Sequence, residues 1–376
     1  MNPTGLLLLM PLIVEVGGPA HNGALRRSHG KRPQPTIASR LMQNTPVTIP
    51  ITFVRGMLSG VQARGQSCES FLAGAEIAPE LLDQTGARVT AAQYVTLFRL
   101  MIDGLDDEGI AFFSRALRCG SYALIARSAL GAPNLEMAMR RITRTFQLLQ
   151  DDVVVELVHD GAEAGLTLRF TNPVAAQQTF MHELLLRIFW RLLAWLAASK
   201  LPATRFDFSF MSPPYAGSYG RVFPAPLLFG QRQSAFWFEA SWMKGPVRRD
   251  EAALRVFLME AQANIILPRR HDAEVSLRVR SHLQKTQPAW PDLAATAEAM
   301  HMATSTLQRR LASEGTSFQA LKDALRRDAA ITRLNTSTVP LAALACELGF
   351  ADSAAFQRAF KSWTGSAPGT YRRGGA

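Results

Sequence analysis

The chain has 376 residues, 48% of them hydrophobic, which is more than one compact core absorbs and excludes a mostly disordered polymer. A formal net charge of +11 and a pI near 10.2 are unusual for a metabolic enzyme and point to a polyanionic partner, either nucleic acid or an acidic membrane face. The three cysteines, Cys68, Cys119 and Cys346, lie far apart with no CxxC or Cys/His spacing, which argues against a disulfide framework or a zinc site and fits a reducing cytoplasm.

At the N-terminus GLLLLMPLIVEV resembles a signal-peptide core, but no Lys or Arg precedes it and Pro11 and Glu15 interrupt it. It is also well short of the ~20 apolar residues of a membrane span. The basic, aperiodic HNGALRRSHGKRPQPTIASR follows. Residues 1–41 are therefore expected to be a disordered extension, with Met42 an alternative start of translation.

Residues 42–246 carry mixed periodicities and read as an α+β domain. ITFVRGMLSGVQARG has helical spacing, TAAQYVTLFRLMIDGL opens on a Thr90/Gln93 capping box, and Leu135 to Leu149 mark one face of a further helix. VVVELV and LTLRF read as a β-hairpin turned by Gly161 and Gly165. A long apolar helix follows from Gln177, then the strand RFDFSF, a Pro/Gly-rich loop and the strand SAFWFEA. Phe180, Trp190, Phe206, Phe208 and Trp237 either line an effector pocket or fill the core; their spacing fits both.

Catalytic signatures fail on this region. His182 and Glu183 begin an HExxH, but Leu186 stands where the second histidine belongs, so His182 reads as an ordinary helix residue. There is no GxSxG, GxGxxG or GxxxxGK[ST]. Asp106, Asp107 and Glu108 read as a solvated acidic turn. No catalytic residue, metal or cofactor is expected.

Residues 247–271 read as a connector helix and linker, and residues 272–376 as an all-α unit. Leu293, Ala294, Ala297 and Met300 share one helix face, a break at His301 follows, and Leu307 and Leu311 anchor a second helix. Ser305, Thr306, Gln308 and Arg309 fall on the outer face of that second helix. The pattern recurs in VPLAALACELGFADSAAFQRAF, with a turn at Gly349, a cap at Asp352, Phe356 and Phe360 inward, and Ser353, Gln357 and Arg358 outward. Arg309 and Arg358 lie 49 residues apart, joined by one amphipathic helix with Phe318, Leu321, Leu325, Ile331 and Leu334 inward. Two helices presented on one side of a duplex would enter successive major grooves about 34 Å apart. Arg pairs bidentately with guanine and Gln with adenine. Arg372 and Arg373 are expected in a tail that meets phosphate or solvent.

TSTLQRRLASEGTSF, DALRRDAAITRL and LACELGFADSAAFQRAFKSWTGSAPGTYR, in this order, resemble the DNA-binding domain of AraC/XylS-type transcription regulators over roughly residues 270 to 373. The resemblance implies base-reading positions at Ser305, Thr306, Gln308 and Arg309, and at Ser353, Ala354, Gln357 and Arg358. Ala303 departs from the family's frequent capping serine, and Ala354 is small for a base-reading position. LLDQTGARVTAAQYVTLFRL, GAPNLEMAMRRITRTFQLLQDD and the FDFSF to FWFEASWM region resemble the arabinose-binding-type domain of the ornithine- and arginine-utilisation regulators. That implies a sensing and dimerising module for an unidentified small-molecule effector. The resulting expectation is a cytoplasmic bacterial homodimeric regulator, an activator acting on promoter DNA and RNA polymerase, with no membrane partner. The alternatives are a sensor that only dimerises, or an enzyme with a reactive cysteine fused to such a DNA-binding domain. In the latter case Cys346 is expected to be buried rather than reactive.

Overall fold

The computed structural model describes residues 48–197, 201–259, 275–314 and 316–372. The expected N-terminal extension and residues 260–271 of the expected connector and linker lie outside these residues. The N-terminal part is α+β and the C-terminal part all-helical.

Strand β1 (Thr48–Pro50) leads into α1 (Ile51–Ala63), and after α2 (Glu69–Gly74) the chain returns in β2 (Arg88–Thr90), antiparallel to β1. Helix α3 (Ala91–Leu105) starts with the expected capping box. Thr90 Oγ1 accepts from the Gln93 N–H, and the Gln93 side chain answers the Thr90 N–H at 2.9 Å. Helices α4 (Ser121–Ser128) and α5 (Leu135–Leu149) follow, and α5 buries Leu135, Ala138, Met139, Ile142 and Phe146, one face at helical spacing.

The main sheet runs β3-β4-β7-β5-β6: β3 (Val153–Asp160), β4 (Glu163–Phe170), β5 (Ala203–Asp207), β6 (Leu227–Leu228) and β7 (Ser234–Glu239). Only β5 and β6 are parallel. The hairpin is tighter than its glycines suggest. Asp160 pairs with Glu163, so the turn is Gly161 and Ala162, with Gly161 at φ +59°. Gly165 is not in the turn; it lies in β4 opposite Trp237, where a Cβ would come within 2.7 Å of the indole. Strand β5 also begins and ends earlier than RFDFSF suggests, because Ser209 leaves the ladder and its N–H turns to Ser234 Oγ at 3.0 Å.

After the short α6 (Pro173–Ala176), α7 (Thr179–Leu196) is the centre of this domain, with fifteen of its 18 residues buried. Phe180 stacks on Phe112, Trp190 meets Phe206 edge-on at 5.8 Å, and Phe208 packs on Tyr219 and Phe229. Trp237 is half-buried on the sheet under the Arg205 guanidinium, and its Nε1 donates to Asp207. These aromatic rings therefore pack against one another and against the sheet.

The acidic turn is not merely solvated. Asp107 is 2% exposed and accepts the N–H groups of Gly109, Ala111 and Leu117, while Glu108 accepts those of Gly120 and Tyr122 at the start of α4. A loop entering the core left backbone donors without partners, and the two carboxylates answer them.

Helix α8 (Glu251–Met259), the described half of the expected connector, packs on the first domain. Phe257 stacks on Trp195 at 4.5 Å, and Glu251 pairs with Arg127 at 2.7 Å. The C-terminal helices are α9 (Val275–Lys285), α10 (Leu293–Ala299), α11 (Thr304–Ser313), α12 (Phe318–Thr336), α13 (Leu341–Glu347) and α14 (Ser353–Thr364). Helix α12 buries Phe318, Leu321, Leu325, Ile331 and Leu334, as its pattern requires.

The two parts touch through polar contacts. Thr48 Oγ1 donates to the buried Asp328 on α12, Gln93 Nε2 donates to Asn335 at 3.3 Å, and the Arg88 N–H donates to Tyr371 at 3.2 Å. Gly86 lies so close to the end of α14 that a Cβ would stand 3.0 Å from the Thr364 carbonyl carbon. Thr48→Val keeps the shape but leaves Asp328 without this donor. It is expected to lower full-chain stability by about 1–3 kcal/mol, read from urea midpoints.

Candidate nucleic-acid interface

In the first unit, α10 turns Thr296 and Ala297 fully inward, with Leu293 and Met300 half-buried; Ala294, expected on the inner face, is exposed. Asp292 caps α10 by accepting the Ala295 N–H at 2.8 Å. The turn reaches the left-handed region at His301, φ +55°, a conformation that costs a side chain energy that glycine avoids. Helix α11 starts at Ala303, which supplies no side-chain cap, and anchors through Leu307 and Leu311. Ser305, Gln308 and Arg309 are exposed, and Thr306 is half-buried beside them.

The second unit is better terminated. Gly349 takes φ +71°, the Phe350 N–H returns to the Ala345 carbonyl at 2.9 Å, and Asp352 caps α14 through the Ala355 N–H at 2.6 Å. Phe356 and Phe360 are fully buried, and Phe350 packs on Phe356 and Trp363. Ala354, Gln357 and Arg358 are exposed, while Ser353 is half-buried and accepts from Gln357 Nε2 at 3.1 Å.

Sequence reasoning missed the knot that ties the units together. Trp290, at the entry to α10, donates from Nε1 to the Glu347 carbonyl at 2.9 Å. Arg326 on α12 lies over the rings of Trp290 and Phe350 and donates to the Gly349 carbonyl at 3.1 Å. Lys322 donates to the carbonyls of Trp290 and Pro291, and Arg333 makes two bonds to Glu347 on α13. The only signal in the sequence was a Trp-Pro pair before a capping Asp. Arg372 is likewise no free tail residue: it is half-buried and donates to the Val339 carbonyl, beside Tyr371 packed on Phe360. Arg373 lies outside the described residues.

With the N-terminal domain in place, both outer faces stay open. Each offers a guanidinium with five donors and a carboxamide with both donor and acceptor, the groups that read base edges. A profile described as "Arabinose-binding domain of AraC transcription regulator, N-term" matches residues 65–247, and a helix-turn-helix profile matches residues 296–374. The chain is a helix-turn-helix DNA-binding regulator of the AraC type.

The ornithine utilization regulator of Pseudomonas aeruginosa is 28% identical over 331 residues, 87% of this chain and 97% of its own. The regulator VqsM of the same organism is 33% identical over 95 residues, 25% of this chain and 29% of its own. The crystal structure of the P. aeruginosa regulator CdpR aligns at 18% identity and TM-score 0.30, over 87% of this chain and 99% of that one. By name, the two curated relatives are regulators, and VqsM is a helix-turn-helix-type transcriptional regulator.

The remaining chemistry of this AraC-type chain is structural. Cys68 is buried with its thiol pushed up by burial, and Cys119 is pushed up to about 11, by burial first and then by Asp106. Cys346, expected inside α13, is exposed, because α13 turns Leu344 and Ala345 inward instead. No group of residues able to hold a metal occurs among the described residues, nor any helix long and apolar enough to cross a membrane. His182 is 2% exposed, bonded through Nδ1 to Ser234 and through Nε2 to the Ala176 carbonyl, and driven down to about 4 by burial. Beside it, burial lifts Glu183 to about 7, against the Tyr219 hydroxyl and Arg187.

Glu183 contributes stability that is present below its unfolded value near 4.5 and lost as pH rises through 7; His182 contributes stability present above 6.5 and lost as pH falls through 4. Between 4.5 and 6.5 the two oppose and nearly cancel, so the net loss is confined to the interval from about 6.5 to 7 and amounts to less than about 1 kcal/mol. Glu183→Gln removes the opposing contribution, so its urea midpoints should rise from pH 5 to about 6.5 and then level off, where those of the parent chain stay flat and then fall. In the turns, Gly349→Val meets Arg326 Nη2 at 3.0 Å and Trp290 at 3.2 Å in a left-handed backbone and should destabilise by about 1–3 kcal/mol. His301→Gly should stabilise by up to about 1 kcal/mol, read by thermal unfolding.

Proposed function

We propose that the two outer helices read two successive major-groove segments of an operator, with Ser305, Thr306, Gln308 and Arg309 in one and Ser353, Ala354, Gln357 and Arg358 in the other. The observation that carries this is the recurrence of such a face on α11 and again on α14, on either side of α12 in the chain, both exposed while the N-terminal domain is docked. Direct occlusion by that domain therefore does not explain regulation. Control passes instead through the contacts around α12, biased by a small-molecule effector.

The reading extends to a cytoplasmic homodimer that activates transcription in contact with RNA polymerase. Exposed Leu124, Val256 and Met259 on α4 and α8 supply apolar surface for dimerisation. The domain limits proposed are 42–246 for the sensor, 247–271 for the connector and 272–376 for the DNA-binding unit. The charge of +11 supports a salt-sensitive phosphate contribution to binding.

Arg309→Ala and Arg358→Ala should each cost about 1–3 kcal/mol on the cognate operator and little on random duplex. Arg372→Ala should lower stability and leave sequence discrimination alone. Titration of both duplexes at fixed salt, with footprints, checks this. Equal losses on cognate and random DNA would overturn the base-reading role, and an intact footprint over both halves in Gly349→Val would remove the second unit from the interface.

A further inference from the structure

The two domains enclose a cavity of about 290 Å³, at the lower end of the range for small-molecule sites, about 300 Å³ upward. A second cavity, under α7 beside Phe113 and Phe146, has only about 40 Å³ and an apolar wall. The aromatic rings that the sequence offers for an effector line neither of the two.

Four arginines line the larger cavity, and no aspartate or glutamate does. Arg88 and Arg187 come from the sensor, Arg280 from α9 and Arg327 from α12. Two of them are held by the contact between the domains. Arg88 donates from Nε to Thr48 Oγ1 and from Nη2 to the Thr48 carbonyl, both at 2.7 Å, while Arg327 lies 3.3 Å from the Asp328 carboxylate that Thr48 also reaches. Arg187 is buried and faces Glu183 and Tyr94; burial brings it down to about 10, still charged at neutral pH. Ile49, Phe53 and Leu321 add an apolar wall.

A carboxylate placed among guanidinium groups that converge from two domains in a partly enclosed, low-dielectric space gains charge-assisted, bidentate bonds. We propose that this cavity is the effector site and that it takes a small organic acid, its carboxylate between arginines of both domains and its apolar part on Ile49, Phe53 and Leu321. The assignment rests on the reading of the chain as an effector-controlled regulator and names the ligand class. An acid bound there touches sensor and DNA-binding unit at once, so its binding energy depends on how they are docked, and the docking depends on it in return.

The test is calorimetric titration of the full-length protein at constant ionic strength with glutarate, hexanoate and phenylacetate, against hexanamide and inorganic phosphate. The expected result is saturable binding of at least one of the three acids, with a raised melting temperature and no binding of hexanamide. Arg280→Gln should weaken that acid at least tenfold, with circular dichroism and affinity for DNA retained, and Arg88→Gln, which also removes the bonds to Thr48, should weaken the acid at least tenfold with circular dichroism retained. Binding of none of the acids overturns the proposal, as does binding of phosphate alone or binding that both substitutions leave unchanged. DNA affinity measured on the same samples separates the two readings. Intact DNA binding without acid binding removes only this site, whereas acid binding without DNA binding removes the regulator.

Discussion

Helix α12 must satisfy two neighbours at once, and the arrangement of everything else follows from that. Its apolar stripe from Phe318 to Leu334 is buried, and the helix packs on α9, on the C-terminal turn at Pro368–Tyr371 and on β2 of the N-terminal domain. Its polar side is committed as well. Lys322 and Arg326 hold the entry loop of the first unit and the turn of the second, Arg333 holds α13, and Asp328 and Asn335 meet the N-terminal domain. A helix used on every side has little freedom to rotate or slide without breaking bonds on another side.

The two units are built to different standards. The second has a glycine where the backbone turns left-handed and a carboxylate cap at the start of α14; the first has His301 and Ala303 at those places. Its α11 is thus held mainly by Leu307 and Leu311 and by the packing of α9 and α10 around it. Local stability within one DNA-binding domain is uneven, and the looser element carries the fuller set of polar side chains.

The C-terminal fold was legible because its signals are local and its main pattern occurs twice, apolar residues at helical spacing with outward Gln-Arg pairs, joined in the second unit by a turn glycine and an acidic cap. The capping box at Thr90 and Gln93 and the hairpin at Gly161 were legible for the same reason. What escaped depends on residues far apart in the chain. Thr48 and Asp328 are separated by 280 positions, and Trp290 reads as any core aromatic until Arg326 is seen above it. Asp107 looked like solvent-facing charge because adjacent acids are usually that; its three backbone donors come from a loop whose path the sequence does not reveal. Gly165 resembled a turn residue, although its missing side chain makes room for an indole on the next strand.

The threonine between the domains has a property that a charged pair would lack. A hydroxyl owns one hydrogen, and Thr48 gives it to Asp328 while its oxygen takes one from Arg88. The chain of bonds therefore has a direction, from guanidinium through hydroxyl to carboxylate, and each link polarises the next. If Arg88 is drawn away, the hydroxyl loses the donor that orients it, and Asp328 feels the change without having moved. One short, neutral side chain thus couples the half-buried guanidinium of one domain to the spine of the other, and the coupling runs both ways.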